Sequence, residues 1–381
     1  MKKVFLCCYR IFGGWVRRTL GKLRAFRYAR NLSKRIRKEQ MQEETLVLSG
    51  VTADKYSPLT EAEKSQIKSF WGEDIVRSYR ECEVYKKACG FDVRFMPMSF
   101  YLPLITRRLN NYFYGELMED KGLLGRLSPG AIRFPVCFVR TIGGEYFDRD
   151  LRQITEDAAR AICLGLNEFV VKAAVGGHGG ARVEKVSLRD LSMGERTATV
   201  NQIFTRRKNN IIVQEVLREH ISLARFNPSS VNTLRVQSLY LNGEVDVLHI
   251  ILRMGTPGSF VDNSCSGGCS VGVSKEGYLC DYGFTSIYDR IYESGDVTFK
   301  GTRLEQIPKL IEFIKTAHVE QFPMIKYIGW DMIFDENNDP VCIEVNTRSN
   351  GHLSFQLCDG PTFGDRTDEV ISYCKEKKFH Y

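Results

Sequence analysis

The chain has 381 residues, 43% hydrophobic and 26% charged, with a formal net charge of +8. This is enough apolar material for two or three folding units, and no run of about 18 apolar residues offers a membrane span. Residues 1–40 hold 13 Lys/Arg and one acid, Glu39, so the rest of the chain is slightly acidic, which argues against a body that binds nucleic acid by charge.

In chain order, residues 1–45 form a basic arm. Phe12, Trp15, Val16, Leu20 and Leu23 recur at spacings of three and four, which predicts an amphipathic helix after Gly14. Basic residues beside aromatic anchors suit an anionic membrane surface, reached peripherally from the cytoplasmic side. A helix packed on the body with a solvated basic face fits the same pattern. The 12 cysteines follow no disulfide-framework spacing and no cleavable leader is visible, so free thiols in a reducing cytoplasm are expected.

Residues 46–60 read as a linker, and Pro58 to Cys89 as helical, opened by Thr60. Together, residues 46–94 are a helical N-terminal region. Pro135 to Arg140 reads as a strand, Thr155 to Leu166 as a helix and Glu168 to Val175 as a strand. A turn over Gly176–Gly180, a strand over Ala181–Val186, a helix over Ala198–Arg207 and a strand over Ile211–Leu217 follow. Asn242-Gly243 is a strong hairpin signal between Thr233–Leu241 and Glu244–Met254. Leu304 to Gln321 is a predicted helix, and Tyr327–Phe334 and Val341–Asn346 a second hairpin. The class is α+β with hairpin-connected strands, lacking a continuous βαβ rhythm.

The chemistry concentrates in that second hairpin. With its turn centred on Asn337-Asn338, an unbulged antiparallel register sets Asp331 opposite Glu344, with Cβ atoms about 5 Å apart. Asn346, two residues on, shares their face. Opposed like charges are destabilising unless something lies between them. A hard divalent cation, magnesium shared with phosphates, suits these oxygen donors; a solvated acidic pair is the alternative.

Lys172 sits in the apolar run Phe169–Val175 and needs a counter-charge or a path to solvent. Gly176, Gly177, His178 and Gly179 follow at once. Such glycines let backbone N–H groups approach phosphate, although a tight structural turn reads the same way. Neither a Walker A motif nor a GxGxxG opening a helix is present. Arg235 and Arg253 lie in the Asn242-Gly243 hairpin, where ideal register puts them on opposite faces, so a shared role needs a bulge. Cys265 and Cys269 lack a second pair at zinc spacing. No GxSxG is present, and of six scattered histidines His178 is best placed to touch substrate.

The order of lysine, glycine turn, strand, arginines and an Asp…Glu-x-Asn hairpin resembles the ATP-grasp superfamily. It looks most like the sugar-transfer-associated branch, found with cell-surface polysaccharide genes. The runs that carry the resemblance are Asp120-Lys121 with Phe134-Pro135, Phe169-Val-Val-Lys172, Val213-Gln-Glu-Val-Leu217, Asn227–Arg235, Leu252–Gly255, Val261-Asp-Asn263, Ile328–Asp331 and Ile343–Asn346. Val345 departs from a branch that often has glycine there, which narrows the space expected beside the metal.

The resemblance implies two α+β lobes enclosing ATP, the first over 95–210 and the second over 211–381, after an N-terminal helical extension. It implies that Lys121 and Lys172 neutralise phosphates and that Glu215, Val216 and Leu217 hold adenine and ribose. Asp331, Glu344 and Asn346 would hold magnesium, and Arg235 and Arg253 would stabilise charge on the transferred phosphoryl group. The activity implied is carboxylate–amine ligation through an acyl phosphate, on a small-molecule or glycan-precursor substrate. The alternatives are a phosphotransferase on the same scaffold and a non-catalytic nucleotide-binding protein. Substrate contacts would come from loops such as His178 and Asn350–Gln356.

Overall fold

The computed structural model describes residues 31, 34–72, 76, 78–127, 130, 132–175, 183–207, 210–258, 267–348 and 350–376. The amphipathic segment Phe12–Leu23 and the glycine turn Gly176–Gly180 lie outside the described residues. Residues 34–47 are helical, with Gln40 buried. Arg107 donates to Glu39 across 2.8 Å and ties this helix to the body.

Helix α1 (Glu61–Trp71) starts at Thr60. The Thr60 hydroxyl accepts from Glu63 N, and the Glu63 carboxylate accepts from Thr60 N, satisfying two N–H groups that a helix start otherwise orphans. Gly72, at φ +101°, ends it, and α2 (Arg80–Cys89) begins afresh. The stretch expected to be helical from Pro58 to Cys89 is therefore two helices. The short α3 (Tyr112–Met118) is capped by Asn111, whose Oδ1 accepts from Phe113 N at 3.0 Å.

The first sheet contains β1 (Cys137–Ile142), β2 (Glu145–Asp148), β3 (Gln153–Ile154), β4 (Glu168–Ala173), β5 (Glu184–Ser187) and β6 (Ile211–Gln214), in the order β3-β2-β1-β6-β4-β5. Every pairing in it is antiparallel. The strand expected over Ala181–Val186 is β5, displaced towards Ser187. Alternation sends Val139, Phe169, Val171, Ile211 and Val213 to one face. There they pack with Ala159 and Cys163 of α4 (Glu156–Leu164) and Val200, Ile203 and Phe204 of α5 (Met193–Arg206). Helix α5 starts earlier than expected because Ser192 and Glu195 form a capping box. The other face carries Cys137, Arg140, Lys172 and Ile212.

The second sheet contains β7 (Thr233–Leu241), β8 (Glu244–Met254), β9 (Cys269–Val273), β10 (Leu279–Thr285) and β11 (Arg290–Ile291). A two-stranded ribbon, β12 (Glu293–Ser294) and β13 (Val297–Thr298), precedes α6 (Ile307–Gln321), which starts after the expected Leu304. The hairpin β14 (Tyr327–Phe334) and β15 (Pro340–Asn346) completes the sheet in the order β11-β10-β9-β8-β7-β14-β15. Asn242 and Gly243, at φ +54° and +86°, make the β7–β8 turn, the conformation that a two-residue hairpin demands. One face of this sheet buries Leu234, Val236, Leu252, Trp330, Met332, Cys342 and Val345 against α6. Val345 thus points into the core rather than into the expected metal site, and narrows nothing there.

The opposite face is covered on two sides. The N-terminal helices and residues 98–109 pack on Leu239, Leu241 and Tyr327. Helix α7 (His352–Asp359) packs with Tyr85 and Phe95 over Ile251 and Phe284. Between them runs a charged strip. The chain closes with α8 (Thr367–Glu376).

Candidate functional site

Two bulges set the charged strip. From the turn inward, Phe334 pairs with Pro340 and Met332 with Cys342, one position off the register expected from the sequence. A bulge between Met332 and Asp331 then inserts Ile343, so Asp331 pairs with Glu344 and Gly329 with Asn346. The expected opposition therefore exists because the strand is bulged, not because it is regular. On the neighbouring hairpin, Thr233 pairs with Arg253 and Gln237 with His249, but Ser238 pairs with Val247. This second bulge moves Arg253 to the face of Arg235. The opposite-face expectation for the two arginines is corrected by that one extra residue.

Asp331, 5% exposed, is gripped by Arg235 through two N–H groups. Nη2 donates to Oδ2 at 2.8 Å, and Nε donates to Oδ1. Arg253 Nη1 donates to the same carboxylate from 3.5 Å. Gly351, at φ +80°, lets α7 begin against Arg235: a Cβ there would lie 3.1 Å from Arg235 Nη1.

Glu344 receives Lys121 Nζ at 2.8 Å. Burial by itself raises the Glu344 carboxyl, but Lys121, Lys172 and Arg235 outweigh it and hold it well below the usual carboxylate range. Burial likewise lowers Lys121, and Glu344, Asp331 and Glu119 reverse this and raise it.

Lys121 joins the two sheets. Its N–H donates to Ala174 O at 3.0 Å, just past β4. Its carbonyl accepts from Gln214 Nε2 on β6 at 3.3 Å, while its side chain reaches Glu344 on β15. Residues not singled out in the sequence hold it there. Glu119 accepts from Thr347 N at 2.9 Å, Arg348 N at 3.0 Å and Arg348 Nε at 2.8 Å. Asn110, fully buried, takes Lys326 N and Tyr327 N on Oδ1 and donates to the carbonyls of Tyr327 and Thr347. The sequence signals for these were only proximity: Glu119 lies two residues before Lys121, and Thr347 follows Asn346.

Lys172 lies on the other face of the cleft, level with Ile212. Burial drives its ammonium down to about 8, with Glu344 opposing and Lys121 reinforcing the shift.

Two further groups of residues have partners within the protein. Glu215 is occupied: Arg133 Nη2 donates to it at 3.1 Å and Val136 N at 2.9 Å. Arg133 also approaches Asp335 at 3.5 Å, so Glu215 clasps the crossing between the sheets and leaves Val216 and Leu217 beside it. Gln356 and His352, expected near substrate, face the N-terminal region instead. Gln356 Nε2 donates to Met96 O at 2.9 Å and Gln356 Oε1 accepts from Met96 N at 2.8 Å. His352 Nδ1 lies 2.6 Å from Thr362 Oγ1. His178 and Cys265 lie outside the described residues.

The donor set fits a hard cation. Among the described residues no group of three His, Cys, Asp or Glu side chains converges. The strip offers two carboxylates and the Asn346 amide, a set that suits a metal taking further oxygens from phosphate. Four cations, Lys121, Lys172, Arg235 and Arg253, surround those two acids. The excess positive charge matches a polyanion bound together with its cation.

Two antiparallel sheets joined through a lysine, with cations on both and a carboxylate pair on the second, define an α+β protein of the ATP-grasp fold. The chain belongs to the sugar-transfer associated ATP-grasp family, whose model matches residues 105–371. No curated protein matches it. Among solved structures, the ATP-grasp ligase PsnB with its minimal precursor is 12% identical, covering 70% of this chain and 64% of that one at a TM-score of 0.39. An L-amino acid ligase from Bacillus licheniformis is 13% identical over 84% of this chain and 61% of that one, at 0.36. The D-alanine-D-alanine ligase from Coxiella burnetii is 14% identical over 68% and 58%, at 0.37. The chain thus spans less than two thirds of these proteins' lengths.

Proposed function

We propose that this chain is an ATP- and magnesium-dependent ligase that joins a carboxylate to an amine through an acyl phosphate, in the assembly of a cell-surface glycan or an amino-acid-like conjugate. The observation that carries the reading is the strip itself: Asp331, Glu344 and Asn346 share one sheet face, with Lys121 donating to Glu344 and Lys172 on β4 of the first sheet. The sugar-transfer association of the family supports the glycan side. The lobes are assigned to residues 95–210 and 211–381, and the basic arm over 1–45 to an anionic membrane surface.

Asp331, Glu344 and Asn346 would hold magnesium, which would offset the charge of the phosphates. Val216 and Leu217 lie where the chain crosses between the sheets and would seat the base. Gly176, Gly177, His178 and Gly179 would close over the phosphates. Lys121 and Lys172 neutralise and orient those phosphates. A substrate carboxylate oxygen bonds the γ-phosphorus as the bond to the β-phosphate oxygen breaks, and ADP leaves. Arg235 and Arg253 stabilise the charge on the transferred group. The amine then bonds the acyl carbon, phosphate leaves with the carbon–oxygen electron pair, and the nitrogen sheds a proton. Positioning and electrostatics supply the rate, so no protein nucleophile is required.

Hydroxylamine trapping tests this. With ATP, magnesium and a panel of amino acids and uronic acids, a hydroxamate and free phosphate should form in step with ADP. ADP formed with a phosphorylated hydroxyl acceptor and no free phosphate would assign a phosphotransferase instead.

A further inference from the structure

Arg140 on β1 pairs laterally with Ile212, and Ile212 with Lys172. The three side chains therefore form one row across β1, β6 and β4, on the cleft face of the first sheet. The neighbouring row, nearer the crossing to the second sheet, is Cys137, Gln214 and Val170. It carries no charge. The row with Arg140 carries two cations flanking one isoleucine.

Arg140 is 3% exposed, and its Nε and Nη1 have no hydrogen-bond partner among the described residues. This sets it apart from Arg235, also buried, whose guanidinium is matched to Asp331. Asp120 and Cys137 lie nearby, and neither hydrogen-bonds Nε or Nη1. Asp120 spends Oδ1 on Gly122 N at 2.8 Å and Leu123 N at 3.2 Å. Burial pushes the Cys137 thiol up to about 11, so it stays neutral. The Asp120–Gly122 loop packs directly above the row: a Cβ on Gly122 would lie 2.8 Å from Ile212 Cγ2 and 3.8 Å from Arg140 Nη1. An enclosed guanidinium with open N–H groups costs stability, and a fold retains one where something else completes it.

We propose that Arg140 is a third phosphate-binding cation of the cleft, working with Lys172 across Ile212 to hold a polyphosphate. Two strand spacings, about 10 Å, separate their Cα atoms, a span that two long cationic side chains can close onto one chain of phosphates. The uncharged row beside them is left for the base. This rests on the nucleotide reading above and adds a residue to it. The Asp120–Gly122 loop then serves twice, carrying Lys121 to the second sheet and roofing Arg140 until phosphate arrives.

The test uses the whole chain, tripolyphosphate with magnesium as the phosphate probe, and adenosine as the phosphate-free control. Arg140→Met should weaken tripolyphosphate binding on the order of tenfold to a hundredfold, the range of a lost charge-assisted hydrogen bond, and leave adenosine binding unchanged. Its unliganded melting temperature should equal or exceed that of the wild type, because an unpaired buried charge is gone. Arg140→Lys should recover part of the affinity. A lowered melting temperature with unchanged tripolyphosphate affinity would make Arg140 a structural residue and overturn the proposal. If Lys172→Met weakens tripolyphosphate and Arg140→Met does not, this proposal fails alone. If the wild type binds neither tripolyphosphate nor ATP, the nucleotide reading falls and takes it along.

Discussion

The two sheets carry similar numbers of site cations but treat them differently. On the second sheet, Asp331 pairs with Arg235 and Arg253, and Glu344 pairs with Lys121 of the Asp120–Gly122 loop. On the first sheet, Lys172 is held down to about 8 by burial, and Arg140 has two N–H groups with no partner among the described residues. The second sheet is electrostatically assembled before any ligand arrives. The first is left incomplete, and a polyanion is what completes it.

The sharpest way to break this contrast is Glu344→Gln, which removes a charged oxygen donor and orphans Lys121. Affinity for magnesium-ATP should fall about 100-fold or more, roughly 2.7 kcal/mol, while circular dichroism shows an intact fold. Unchanged calorimetric affinity would remove the metal assignment.

The pre-assembly of the second sheet can be tested at a distance from charge. A Cβ on Gly272 would meet Cys358 O at 2.4 Å and Cys280 Sγ at 2.8 Å, so Gly272→Ala must lift α7 off β9. It should destabilise the chain by about 1–3 kcal/mol in urea titration. A neutral result would mean that α7 is not pinned there.

Lys172→Met sharpens the other half. Its effect on magnesium-ATP should be about tenfold, near 1.4 kcal/mol, with no loss of unliganded stability. The linkage follows from the lowered value. Between pH 8 and 10.5 the folded chain binds fewer protons here than the unfolded chain, so this lysine makes stability rise with pH across that window, and below pH 8 its charge is a cost. The variant should lose that slope.

Phosphate entering beside Lys172 must raise it again. At pH 8, where about half the lysine is deprotonated, ATP binding should take up a fraction of a proton, on the order of 0.5. Calorimetry in buffers of different ionisation enthalpy measures this. No uptake in the wild type would show that Lys172 does not meet phosphate.

The smallest expected effect on the site comes from the arm. Deleting residues 1–30 should leave ATP affinity unchanged and abolish sedimentation with anionic vesicles. Equal sedimentation of the truncated chain would end the membrane assignment. Among the described residues no helix is long and apolar enough to cross a membrane.

Much of the architecture is legible in residue order. Thr60 announces a helix start through local capping, and Asn242-Gly243 fixes a hairpin through positive φ, whereas the Ser192 cap is missed and its helix is expected only from Ala198. These are short-range effects, settled by a residue and its near neighbours. The charge types of the site were also local: Asp331, Glu344, Asn346, Lys121 and Lys172 stand out by chemistry and order.

Tertiary structure decided how those residues meet. A period of two carries no mark of a bulge, so sequence alone placed Arg235 and Arg253 on opposite faces and treated the last hairpin as regular. Ile343 and Leu248 are the residues each bulge leaves over, and they look like any other apolar strand residue. The pairing of Lys121 with Glu344 and the clasp of Glu215 by Arg133 join residues tens to hundreds of positions apart. Those pairings depend on sheet register and on which loop covers which face, and both are set by the packing of the whole chain.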